Sequence, residues 1–175
     1  MPDLRYPIGP CQADVSLRPE DRPPLIAQIA EAPGNLRAAV AGLSESELDM
    51  PYRPGGWSLR QVVNHLADGH ANWYIRTKLA LTETRPAIKP FDEALWAELV
   101  DARSGPVEPS LLLFESLSAR WVLLFQSLGA QDWARSFEHA ERGTLDLDYV
   151  LHTMVWHARH HTAHITEFRK RELHR

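Results

Sequence analysis

One run near the C-terminus constrains this chain more than any other: Trp156-His157-Ala158-Arg159-His160-His161-Thr162-Ala163-His164-Ile165. Four of the nine histidines fall within its span, in a segment from Asp148 to Arg171 without Gly or Pro. Val150, Met154, His157, His161, Ile165 and Phe168 recur at the three- and four-residue spacing of one apolar helix stripe. Two of those six positions are imidazoles, an expensive choice for a face that must be buried.

His157 and His161 stand one turn apart, so both rings project from the same face and can reach one ion at about 2.0–2.1 Å per nitrogen. Each buried ring nitrogen left without a partner costs about 1–3 kcal/mol. A metal ion would satisfy one nitrogen of each ring. The alternative is a buried histidine pair bonded to side chains or water. His160 and His164 share the spacing, but their stripe (Tyr149, Thr153, Trp156, His160, Ala163, Glu167, Arg171) is more polar, and the pair ranks second.

At 175 residues the chain is long enough for one domain with a real core, and its 44% hydrophobic and 24% charged residues fit an ordinary soluble protein. A formal net charge of -4 gives no general basic field for nucleic acid. Cys11 is the only cysteine, which excludes an intrachain disulfide and favours a reducing compartment. No apolar run approaches the ~20 residues of a membrane span, and the opening does not read as a signal peptide. A cytoplasmic protein without membrane or nucleic-acid partners is expected.

Residues 1–20, rich in Pro, are expected as an extended N-terminal arm, and residues 21–175 as the bundle domain. Leu25, Ile29, Ala32, Leu36, Val40 and Leu43 keep a helical rhythm through Pro33, as one kinked helix or two abutting ones. Ser44 to Glu47 reads as a capping box opening a short turn. Ser58 to Gln61 is a second box, opening a helix to about Glu83, roughly 39 Å long. A short helix is expected from Asp92 to Leu99. Pro109 suits the start of a third long helix, which Gly129 ends. Residues 130–147 read as a loop with a helical turn near Trp133, and no convincing strand is found. The expectation is all-α: a four-helix bundle with irregular crossovers.

A catalytic zinc-type site has three protein ligands and an open position. The second helix offers His65 and His70, five residues apart and so unlikely partners for one ion. Its opening, Gly55-Gly56-Trp57-Ser58-Leu59-Arg60-Gln61-Val62-Val63-Asn64-His65-Leu66-Ala67-Asp68, resembles the DinB/YfiT-like superfamily, most closely its YfiT branch. Three more stretches share that likeness: Asp3 to Gly9, Arg76 to Glu83 with Lys89 to Glu93, and the histidine run itself. The resemblance covers essentially the whole chain. It implies a DinB-type four-helix bundle holding one divalent ion per subunit, zinc or nickel, on His65, His157 and His161. It also implies a homodimer, for which the six tryptophans leave room. His70 matches a position of that family too, but is read as lying near the rim of the site rather than on the metal.

An ion held by three neutral imidazoles acidifies water toward a pKa of about 7 and deprotonates a thiol outright. The first property implies a metal-dependent hydrolase of an unknown small substrate. The second, together with the resemblance, implies an S-transferase for a low-molecular-weight thiol, bacillithiol being the one the YfiT-like branch is associated with. A non-catalytic, metal-stabilised bundle, closed by His70, His160 or His164 as fourth ligand, is the third reading. No His-Glu-x-x-His supplies a general base. Asp68 is either an acceptor for a ligand imidazole or a solvated helix residue. Asn72 stands two turns beyond His65. Arg76 and Arg159 are candidate receivers of an anionic substrate, and Cys11 is a poor nucleophile in its Pro-rich arm.

Overall fold

The computed structural model describes residues 3–12 and 16–174, so parts of the expected arm (1, 2 and 13–15) and residue 175 lie outside the described residues. Four long helices carry the fold: α1 (Arg22–Val40), α3 (Leu59–Thr82), α6 (Glu108–Gln126) and α8 (Leu147–Phe168). Short helices join them: α2 (Glu45–Leu48), α4 (Glu93–Ala97), α5 (Val100–Ser104) and α7 (Ala130–Trp133). A 3-10 turn at Pro19–Asp21 precedes α1, and a π-helical turn, Arg169–Leu173, follows α8.

Helix starts follow local chemistry. Ser58 accepts the Gln61 N–H at 3.2 Å while the Gln61 side chain accepts the Ser58 N–H at 2.9 Å, which sets the first turn of α3. Asp146 caps α8 by accepting the Tyr149 N–H at 2.8 Å. Pro33 sits inside α1, which runs through it as one helix. Of the two expected arrangements, the structure has the single helix.

The packing order explains the crossovers. Helix α1 packs on α8 and α6, and α3 packs on the same two, so α1 and α3 face each other diagonally. The links α1 to α3 and α6 to α8 therefore cross the bundle. Two core clusters result, one around Leu36, Leu66, Phe114 and Ile165 and one around Trp121, Phe125, Phe137 and Met154.

The absence of strands is corrected. A small sheet of β1 (Ala87–Ile88), β2 (Ser136–His139) and β3 (Gly143–Asp146) lies in the order β1-β2-β3, β1 parallel and β3 antiparallel to β2. Strands of two to four residues are too short to show an alternating pattern, although Phe137 and His139 point inward. The helix after Asp92 ends at Ala97 rather than Leu99, and a separate short helix, α5, follows from Val100 to Ser104.

The arm lies over α8 through backbone carbonyls: the Gly9 oxygen accepts the Trp156 indole N–H at 3.2 Å, and the Arg5 oxygen stands 3.2 Å from His164 Nε2. At the far end of α8, Arg22 forks onto Asp148 at 2.8 and 2.9 Å, tying α1 to it.

Candidate metal centre

The second turn of α3 carries His65, and the middle of α8 carries His157 and His161. Because these helices are neighbours, the three rings meet. His65 Nε2 lies 3.1 Å from His157 Nε2. Ring centroids are 4.7 Å apart for His65 and His161 and 4.5 Å for His157 and His161. One ligand atom from each residue falls within 4.8 Å of the others. Two nitrogens bound to one tetrahedral ion at 2.0–2.1 Å stand about 3.3 Å apart, close to the separation of the first pair.

Two further observations test whether the residues fit an ion. The Nδ1 atoms of His157 and His161 are buried without a hydrogen-bond partner, and in His157 this is the nitrogen opposite the Nε2 that approaches His65, so an ion bound at Nε2 would leave it unmet. Gly69, one turn after His65, leaves room that a side chain would fill: a Cβ there would stand 3.1 Å from His157 Cε1. Glycine inside a helix costs about 0.5–1 kcal/mol relative to alanine, and here it lets an imidazole lie against the α3 backbone.

Electrostatics keep the rings ready to donate lone pairs. Burial, and then the neighbouring His164, push His65 down to about 4 from the ordinary 6.5. Burial first and adjoining imidazoles second hold His157 and His161 well below the usual range. All three are neutral at pH 7, as metal ligands must be. Trp57 covers His65 at 4.7 Å between centroids.

Other candidates are placed differently. His70 is fully buried and lies beside the triad, its ring centroid 5.6 Å from that of His157. It meets Phe114 and Trp121 edge-on at 4.6 and 5.5 Å, and burial pushes it down to about 3. The turn of α3 that carries it faces α6, which the five-residue step from His65 requires once α3 sits between α6 and α8. The Asp68 carboxylate receives no imidazole N–H; burial raises its pKa and Asp101 of α5 raises it further. The Asn72 amide donates to the Asp68 carbonyl at 3.0 Å within its own helix. Arg159 belongs to a different groove, between α1 and α8, and reaches Gln28 Oε1 at 3.5 Å.

A cleft of about 940 Å³ opens onto His65, Gly69 and His157, walled by Tyr6, Trp73 and Trp156. Its far side comes from the β2–β3 hairpin and the start of α8, through Arg142 and Tyr149. Sequence reasoning missed this wall because the hairpin carries no usable periodicity. Cys11 also lines the cleft, and burial pushes its thiol up, away from the thiolate form.

The DinB superfamily model matches residues 28–165. The chain is 48% identical over 170 residues to a protein of Geobacillus thermodenitrificans named "Putative metal-dependent hydrolase", covering 97% of this chain and 96% of that one. It is 48% identical over 171 residues to a Bacillus cereus protein of the same name, covering 98% of each. Among solved structures it is similar to YfiT from Bacillus subtilis, with 44% identity, a TM-score of 0.93, and coverage of 96% and 97% of the two chains. That protein is described as "a probable metal-dependent hydrolase with an unusual four-helix bundle topology".

Proposed function

The chain belongs to the DinB superfamily, and on that premise we propose that it is a metal-dependent hydrolase whose divalent ion, zinc or nickel, is held by His65, His157 and His161. The observation that carries this reading is the convergence of three neutral imidazoles from two helices beside a glycine that makes room for one of them. When bound, such an ion lowers the pKa of water from about 15.7 toward about 7. The chain's own residues do the rest: Gly69 sets the position of the His157 ring, Trp57 shields His65 from solvent, and the cleft admits a small molecule to one side of the triad.

Transfer of a low-molecular-weight thiol is the second reading, and one observation favours it. Among the described residues no carboxylate hydrogen-bonds an imidazole of the triad, and a thiol acidified by such an ion would release its proton to solvent without a protein base. Both readings place one ion in each subunit. A cytoplasmic homodimer accords with them, supported by the exposed Leu95, Trp96, Leu99 and Val100 at the α4–α5 corner.

Metal content by mass spectrometry on untagged protein tests the common premise. About one equivalent is expected in the parent and almost none in His65→Ala or His157→Ala. Retention of metal in His65→Ala would move the ion to α8 alone and remove the cross-helix site.

A further inference from the structure

Beyond the triad, the cleft runs past groups that the metal reading leaves unused. Arg76 stands on α3 three turns after His65 and is 4% exposed. Arg142, exposed in the turn between β2 and β3, lines the same cleft as Trp73, Phe91, Tyr149 and His157.

The same helix shows what a buried arginine otherwise receives here. Arg60, 3% exposed, donates to Asp49 at 2.7 Å, to Glu45 at 2.6 Å and to the Gly105 carbonyl at 2.9 Å. Arg76 has nothing comparable. Among the described residues it makes no ion pair, and its hydrogen bond runs from Nη2 to the Lys89 carbonyl at 3.3 Å. Its guanidinium lies over the rings of Trp73 and Phe91, at 4.9 and 5.9 Å to the centroids. Arg142 has no carboxylate partner among the described residues and donates to the Tyr149 hydroxyl at 3.0 Å.

A guanidinium taken out of water without a counter-charge loses more solvation than ring faces and one carbonyl return. The planar fork is also the group best shaped for an oxyanion. A buried guanidinium packed behind the cleft-lining rings of Trp73 and Phe91, and an exposed one on the lining itself, both without an acid among the described residues, mark a place suited to a negative charge that the described residues do not supply. Among the described residues, the carboxylates facing this cleft do not fill the role: Asp146 is engaged as the cap of α8, and Glu93 is exposed at the start of α4. Positive potential extends along the wall. Burial depresses Arg76 and Arg142 adds to it, while His139, depressed by burial, is held down further by both arginines.

We propose that Arg76 and Arg142 form an oxyanion subsite of the cleft, so that the protein acts on a small molecule bearing a carboxylate or phosphate group, anchored there with its reacting bond toward the three histidines. The aromatic faces of Trp73, Phe91 and Tyr149 flank the body of that molecule. For the reaction, this inference rests on the metal-dependent reading; for anion binding it does not.

The test separates the two. Chelator-treated, metal-free protein is titrated with acetate and with inorganic phosphate while the Trp73 indole N–H resonance, assigned through Trp73→Phe, is followed by NMR. A saturable shift is expected, and the tighter of the two anions identifies the group recognised. Arg142→Gln, at an exposed turn, and Arg76→Lys, which keeps the charge but loses the fork, should each weaken binding on the order of tenfold or more. Arg159→Gln, which removes a guanidinium from the separate groove between α1 and α8, should bind as the parent does. No saturable shift with either anion, or unchanged affinity in both Arg142→Gln and Arg76→Lys, overturns the subsite. Arginine-dependent binding by a protein that takes up no metal would uphold the subsite and remove the hydrolase reading instead.

Discussion

Helix α8 carries two histidine pairs of identical spacing, and they face different worlds. His157 and His161 look toward α3, where His65 meets them beside the Gly69 backbone and the cleft opens. His160 and His164 look toward the N-terminal arm and its surroundings. His160 stacks on Trp156 at 4.3 Å and leans on Tyr6 at 5.9 Å. His164 stacks on Tyr52 at 4.0 Å with Nε2 against the Arg5 carbonyl. Burial does not tell the pairs apart, since all four rings have an orphaned Nδ1. Nor does proximity, because His160, His161 and His164 also bring ligand atoms within 4.8 Å of one another. What differs is what covers them: a third imidazole, His65, from a second helix on one face, aromatic rings and a backbone acceptor on the other.

The largest effect expected from breaking this comparison is on metal retention. His161 belongs to both sets, so His161→Ala should empty the protein of metal whichever face holds the ion. His164→Ala separates the faces. With the ion on His65, His157 and His161, this variant should keep about one equivalent of metal while its arm loosens, seen as faster amide exchange in residues 3–12. Loss of metal in His164→Ala together with retention in His157→Ala would assign the ion to the arm-side set.

Acid is the next largest lever, and it acts on both faces. His65, His160 and His164 are pushed down to about 4 and His70 to about 3 in the folded protein, in each case by burial first. The unfolded chain takes up these protons near 6.5, so between about 6.5 and 4 the unfolded state binds more protons and stability falls as the pH falls. Above that window the four groups contribute no pH dependence. Urea midpoints of metal-free protein should therefore be flat from pH 8 to about 7 and drop steeply toward 5. His164→Gln should make the drop shallower by the share of one group. An unchanged slope would mean that the arm-side imidazole is solvated and already titrates normally.

Much of this was legible in the sequence, for identifiable reasons. Capping boxes and long apolar stripes announced α3 and α8, since a helix start is a local hydrogen-bonding problem that Ser58 and Gln61 solve between themselves. The His157–His161 pair was legible because one turn of helix defines its geometry. The choice of His65 over His70 was not legible from spacing and rested on a family resemblance; it depends on which face of α3 meets α8, a consequence of the diagonal crossovers. The place of Arg142 on the cleft wall was invisible for the same reason. Arg142 sits on a hairpin of four-residue strands, and nothing local says that this hairpin closes over the cleft. Arg159 had looked equivalent to Arg76, but its side of α8 faces α1.

The smallest expected effect is the most discriminating, because its two parts have opposite sign. Gly69→Ala gives α3 a better helix former, favourable by about 0.5–1 kcal/mol where nothing else changes. The new methyl group would stand 3.1 Å from His157 Cε1, so the ring must give by a few tenths of an ångström. A packing residue would feel this slightly, whereas a metal ligand is held to narrow tolerances and loses affinity when its support shifts, by about 10- to 100-fold for changes around the ligands. The expected result is an unfolding midpoint of the metal-free protein that stays level or rises, together with zinc affinity lower by about tenfold in a competition titration. If both quantities fall together, the methyl group is disturbing core packing and not a tuned imidazole. If neither moves, the His157 ring relaxes freely, and the glycine has no part in setting the α3-facing pair apart from its arm-side twin.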